Sequence, residues 1–131
     1  MTFDPRSIGT PVYEGLAVLR TATQDATRLK QQKSQSVELY TYLSTWGMMR
    51  LKAEEQALGN GMEGKKQVVN SFFQCLESLS TTRNLSGIQG LDTLKNLSVS
   101  DYLGLTGLGL AIAREFSFWA TAVYHDVSGD D

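Results

Sequence analysis

Apolar side chains recur at intervals of three and four along most of this chain, and no segment holds the strict alternation of a half-buried strand. The only prolines are Pro5 and Pro11, which leaves everything beyond them free to be helical. A first helix is predicted from Pro11 to the region 33–36, with Val12, Leu16, Leu19, Ala22, Ala26 and Leu29 inward and Arg20, Gln24, Arg28 and Gln31 opposite. A second, over about 36–58, carries two stripes. Val37, Tyr40, Gly47, Leu51 and Leu58 form one, and Tyr42, Trp46, Met49 and Ala53 the other. Such a helix is either sandwiched within a bundle or offers one side to another protein.

Gly59-Asn60-Gly61 ends that helix, because both residue types tolerate a left-handed C-cap. The third helix, about 62–79, begins with Lys65 and Lys66 and aligns Val69, Phe72, Phe73 and Leu76. After a polar loop at 80–84, Ile88, Leu91 and Leu94 predict a short helix. The last helix has the clearest pattern: Ser98 and Asp101 resemble a capping box, and Tyr102, Leu105, Gly109, Ile112, Phe116, Trp119 and Val123 follow at helical spacing. Glycines 104, 107 and 109 weaken this helix, so close approach of another backbone is expected there. The expected fold is all-α, a compact bundle of about five helices in a single domain over 1–131 with flexible ends at about 1–10 and 126–131.

Composition narrows the function classes. With 41% hydrophobic and 20% charged residues, the chain is neither a disordered tail nor a fibrous repeat. The net charge of -2 is unevenly spread: Asp126, Asp130 and Asp131 crowd the C-terminus, while Arg20, Arg28, Lys30 and Lys33 crowd the first third. Cys75 is the single cysteine, so an internal disulfide and a cysteine-based zinc site both lack partners. With no signal-like start and no run of ~18 apolar residues, a cytoplasmic protein without a membrane segment is expected.

The sharpest motif, Gly59-Asn60-Gly61-Met62-Glu63-Gly64-Lys65, satisfies the spacing of a dinucleotide-binding loop and nearly that of a phosphate-binding loop. Both need a buried strand before the loop, whereas an amphipathic charged helix is predicted here, so the stretch reads as a helix connection. His125 beside Asp126 is a lone histidine and predicts no metal. Cys75 lies among Phe72, Phe73 and Leu76 and reads as core. Glu54 and Glu55 point ~100° apart on a helix and do not converge on a substrate, and Glu54 is expected to pair with Arg50. No catalytic residue and no cofactor is predicted. The basic residues Arg20, Arg28, Lys30, Lys33, Lys65 and Lys66 are the candidate nucleic-acid contacts, suited to phosphates and sugar hydroxyls. Tyr42, Trp46 and Met49 are the candidate partner interface.

The order of several blocks resembles a known family. An N-terminal helix is followed by Thr45-Trp46-Gly47-Met48-Met49-Arg50-Leu51-Lys52-Ala53, then by Phe72-Phe73-Gln74-Cys75-Leu76. Asp101-Tyr102-Leu103-Gly104-Leu105-Thr106 then leads into Leu110-Ala111-Ile112-Ala113-Arg114-Glu115-Phe116-Ser117-Phe118-Trp119-Ala120. Over residues 12–124 this resembles the small-subunit family of type III and type I-D CRISPR effector complexes. The resemblance implies a non-catalytic helical subunit stacked along a crRNA-bearing filament. Its partners would be backbone and large subunits, further copies of itself, and the crRNA–target duplex or displaced single strand. Two other readings stand beside it: a helical adaptor that binds only proteins, and a small nucleotide-binding enzyme using the Gly59–Lys66 loop.

Overall fold

The computed structural model describes Asp4 and residues 6–128. Parts of the ends expected to be flexible, 1–3, 5 and 129–131 with Asp130 and Asp131, lie outside the described residues. Asp4 starts the first helix, α1 (Arg6–Thr21), by accepting the Arg6 N–H on its carboxylate at 3.0 Å and the Ser7 N–H on its carbonyl at 2.9 Å. Residues 6–10 are therefore helical, and Pro11 lies inside α1, where it forgoes one intrahelical bond.

The expected first helix is two helices. Asp25 accepts the Thr27 N–H at 3.1 Å and caps a new helix, α2 (Ala26–Trp46), which runs straight through the polar stretch where a break was predicted. That stretch is polar and yet internal: Gln32 and Ser36 are buried beside Leu39 and Leu43. Tyr124 donates its hydroxyl to Gln32 Oε1 at 2.7 Å, while Gln32 Nε2 donates to Gln67 Oε1 at 2.8 Å and Thr23 Oγ1 at 3.0 Å. The predicted second helix is also divided. Gly47, at φ +89°, turns the chain between α2 and α3 (Met48–Ala57). The inward stripe of α2 is consequently Gln32, Ser36, Leu39 and Leu43, and Val37, expected inside, is exposed.

Helices α4 (Glu63–Leu79), α5 (Gly90–Lys95) and α6 (Val99–Val123) follow the predicted pattern more closely, giving six helices and no strand among the described residues. Ser98 caps α6 by accepting the Asp101 N–H at 3.1 Å. α6 packs antiparallel to α2, with Ser117 Oγ donating to the Ser36 carbonyl at 3.1 Å at one end and Met49 N–H donating to Tyr102 Oη at 3.2 Å near the other. α1 and α4 complete the four-helix body around Leu16, Leu39, Leu43, Met48, Phe72, Phe73, Leu76 and Phe116, while α3 and α5 close one side. No helix among the described residues is long and apolar enough to cross a membrane.

The three α6 glycines do not share one role. A Cβ on Gly109 would meet Met48 Cε at 3.2 Å, Phe72 Cζ at 3.5 Å and Leu43 Cδ2 at 3.6 Å, so side chains close in on it and no backbone does. Gly104 and Gly107 face open space. Gly104→Ala and Gly107→Ala should each raise unfolding free energy by about 0.5–1 kcal/mol, whereas Gly109→Leu should lower it by about 1–3 kcal/mol. Urea titration of the single variants measures both signs.

Candidate nucleic-acid interface

The cationic residues are arranged by two junctions, the first between α2 and α4. Gly61, at φ +91°, turns the chain into α4 and Gly64 lies against α2, where a Cβ would sit 2.5 Å from the Arg28 carbonyl oxygen. Gln31 bridges the gap: its Oε1 accepts the Gly64 N–H at 2.9 Å and its Nε2 donates to the Gly61 carbonyl at 2.5 Å. Glu63 accepts the Gly61 N–H at 3.1 Å, and this bond, helped by Arg28 and Lys66, holds its carboxyl below the usual range. The glycine-rich stretch is thus a helix-to-helix connector whose Gly61 and Gly64 amides already have acceptors within the chain. The Gln31 bonds that tie this connector to α2 bring Arg28 and Lys66 to either side of the Glu63 carboxylate, with Lys65 next to Lys66 along α4, and Arg28 also pairs with Asp25 at 3.9 Å.

The second junction takes the remaining cations elsewhere. Arg20 ends α1 and grips the segment after α6: Nη1 donates to Asp126 Oδ1 at 2.5 Å and to the Val123 carbonyl at 2.7 Å, and Nη2 donates to Asp126 Oδ2 at 2.9 Å. Its guanidinium also lies 5.8 Å from the centre of the Tyr124 ring. Lys33 donates to the Val127 carbonyl at 2.7 Å. The hydrogen bonds from Arg20 draw the Asp126 carboxyl down to about 2, so this ion pair is fully formed above the ordinary carboxylate range and breaks only as pH falls towards that value. Arg20 and Arg28, expected on one helix face, belong to different helices, and Lys30 is turned about 200° around α2 from Arg28. The six predicted residues therefore do not form one surface: Arg28 and Lys66 flank Glu63 with Lys65 adjacent, Arg20 and Lys33 are held by the segment after α6, and Lys30 is separate.

Tyr42, Trp46 and Met49 are likewise split by the Gly47 turn. Trp46 closes α2 at 51% exposure, and Met49 stands exposed in the first turn of α3. Tyr42 is half-buried against the core, and burial together with Glu54 pushes its hydroxyl up to about 12. The Arg50 guanidinium stacks 4.2 Å from the Trp46 ring centre in place of the expected pairing with Glu54. Tyr102 links this corner to the start of α6, where Val99 and Leu103 are also exposed.

No family model, curated protein or solved structure matches this chain.

One charged residue escapes a reading of the sequence. Lys52 is 1% exposed, pairs with Glu55 Oε1 at 2.8 Å and lies 4.8 Å from the centre of the Phe73 ring. Its i,i+3 spacing to Glu55 is the sole sequence signal, and a solvated helix face has the same spacing. Together with Gln56, Lys66, Ser86 and Ile88, the pair lines a cleft of about 230 Å³. Cys75 is buried, which pushes its thiol up to about 11, and among the described residues no group of three or more His, Cys, Asp or Glu side chains could hold a metal ion.

Proposed function

We propose that this chain is a non-catalytic helical subunit of an RNA-guided CRISPR effector complex in the cytoplasm. It would scaffold the crRNA-bearing filament with backbone and large subunits and further copies of itself. Phosphate contacts made without regard to sequence would steady the crRNA–target duplex or the displaced strand, while base pairing supplies specificity. The observation that carries this reading is the junction of α2 and α4, where Gln31 and Gly64 hold Arg28 near Lys66, with Lys65 adjacent to it at the start of α4. Cations drawn from two helices can follow a phosphate backbone, and Gln31 stands between them with its amide already committed to the scaffold.

A protein-only adaptor is the second reading, favoured by the exposed Trp46, Met49, Val99 and Leu103 at one corner of the bundle. One pair of variants separates the two. Substituting Arg28, Lys65 and Lys66 by alanine should weaken binding to single-stranded oligonucleotides and flatten the log-log salt dependence by up to about 2, or ~0.7 for each phosphate no longer neutralised. Trp46→Ala should loosen the proteins that co-purify with the tagged chain without abolishing its cooperative melting, since half of the indole is already in water. Loss of the co-purifying proteins in Trp46→Ala, with oligonucleotide binding unmoved by the triple substitution, would leave the adaptor as the better reading.

A further inference from the structure

The cations that the fold does not leave open are held by the chain's own carboxylate-bearing end. We propose that residues 125–127, just beyond the buried Tyr124, are an internal competitor for phosphate, which masks Arg20 and Lys33 until a polyanion displaces it. This rests on the nucleic-acid reading above and adds to it a regulated second half of the surface.

The geometry of the contact is that of a ligand mimic. The guanidinium of Arg20 meets both oxygens of Asp126, the forked arrangement with which arginine also takes a phosphate. Lys33 donates to a neutral carbonyl, that of Val127, and an ammonium has two further protons to offer. The segment has one firm anchor. Tyr124 is fully buried and bonded to Gln32, whereas His125, Asp126 and Ser128 beyond it are exposed and Val127 is half-buried. Lifting residues 125–128 breaks the Arg20–Asp126 pair, the Lys33 bond to the Val127 carbonyl and the packing of half-buried Val127, while the buried Tyr124 anchor and the Arg20 bond to the Val123 carbonyl stay in place. A nucleic-acid strand offers many phosphates where the segment offers one carboxylate, so it wins at low salt and loses its advantage as salt rises. The arrangement also reconciles a chain of net charge -2 with a binding role, because part of its acidity lies on its own binding surface.

The test uses Asp126→Asn in the full chain, with labelled oligouridylate and oligodeoxythymidylate as probes in a salt titration. Affinity should rise about five-fold, the equivalent of ~1 kcal/mol. The salt slope should steepen by about 0.7 as one more phosphate is neutralised. Asp126→Glu should restore the masked behaviour, and Arg20→Ala with Lys33→Ala should erase the difference between Asp and Asn at position 126. Asp92→Asn is the control for net charge, as it removes an exposed carboxylate from a lysine pair on α5. An equal gain from Asp92→Asn, or a lower melting temperature in Asp126→Asn with unchanged affinity, overturns the masking and makes the contact a structural clasp. In that case binding that still depends on Arg28, Lys65 and Lys66 preserves the nucleic-acid reading. Absence of binding in every variant at the lowest salt overturns both.

Discussion

Gly64→Ala should destabilise the domain by about 3 kcal/mol, although alanine is the better helix former by about 1 kcal/mol. The new methyl would stand 2.5 Å from the Arg28 carbonyl oxygen and 2.7 Å from Gln31 Cβ, and neither can retreat as the tip of a long side chain could. α2 and α4 would have to separate, which breaks the two Gln31 hydrogen bonds that join them. The same displacement would pull Arg28 away from Lys65 and Lys66, so weaker oligonucleotide binding should accompany the loss of stability. Thermal melting measures it directly: for a chain of 131 residues the midpoint should fall by roughly 10 °C. A midpoint at or above that of the parent protein would mean that the helices do not meet at this glycine.

Lys52→Ala should cost a similar amount, about 3 kcal/mol, for an electrostatic reason. Lys52 is almost wholly enclosed and pairs with Glu55, which is 14% exposed, so truncation leaves a carboxylate with little water and only Lys66 across the shared cleft as a cation. A void beside Phe73 adds to the destabilisation. Replacing both members of the pair, Lys52→Met with Glu55→Leu, should return stability to within about 1 kcal/mol of the parent, because no charge is then stranded and the volume is kept. Urea midpoints of the single and double variants at constant m-value provide the comparison. A single-variant effect below about 1 kcal/mol would show that the adjoining cleft hydrates Glu55 well enough to replace the lysine.

Local periodicity is enough for α4 and α6. Their apolar positions repeat without polar interruption on the buried side, and Ser98 announces the start of α6 by a capping pattern that needs only neighbouring residues. The helix break at Gly59–Gly61 is legible as well, but the expected left-handed C-cap is not found: α3 ends on an extended Leu58, and the positive φ comes at Gly61, at the entry to α4. The boundaries among α1, α2 and α3 are not legible. Gln32 and Ser36 look like solvent positions, and they are covered by the far end of the chain: the Tyr124 hydroxyl bonds Gln32, while Ser117 bonds only the Ser36 carbonyl and leaves the Ser36 hydroxyl without a partner among the described residues. The run around 33–36 therefore imitates a break, while the true start of α2 at the Asp25 cap lies inside a run of plausible helical spacing.

The candidate site divides along the same line. Residue types alone identify which side chains could meet phosphate, which aromatic could remain at the surface, and that the glycine-rich stretch joins two helices. Whether a cation is open or occupied is a property of what lies beside it in space. Arg20 and Asp126, or Lys33 and Val127, are distant in sequence and meet only because α6 ends where α1 and α2 adjoin. Glycine roles follow the same logic: the cost of a missing Cβ is local and visible in the sequence, but the need for it at Gly64 and its absence at Gly104 and Gly107 depend on a neighbouring helix. Covalent neighbours and helical geometry suffice for the all-α class, the strongly patterned helices and the chemistry of the surface side chains. Where the polar helices begin and end, which buried polar groups are satisfied and which cations remain open are matters settled in three dimensions, because each is a pairing between residues that only folding brings together.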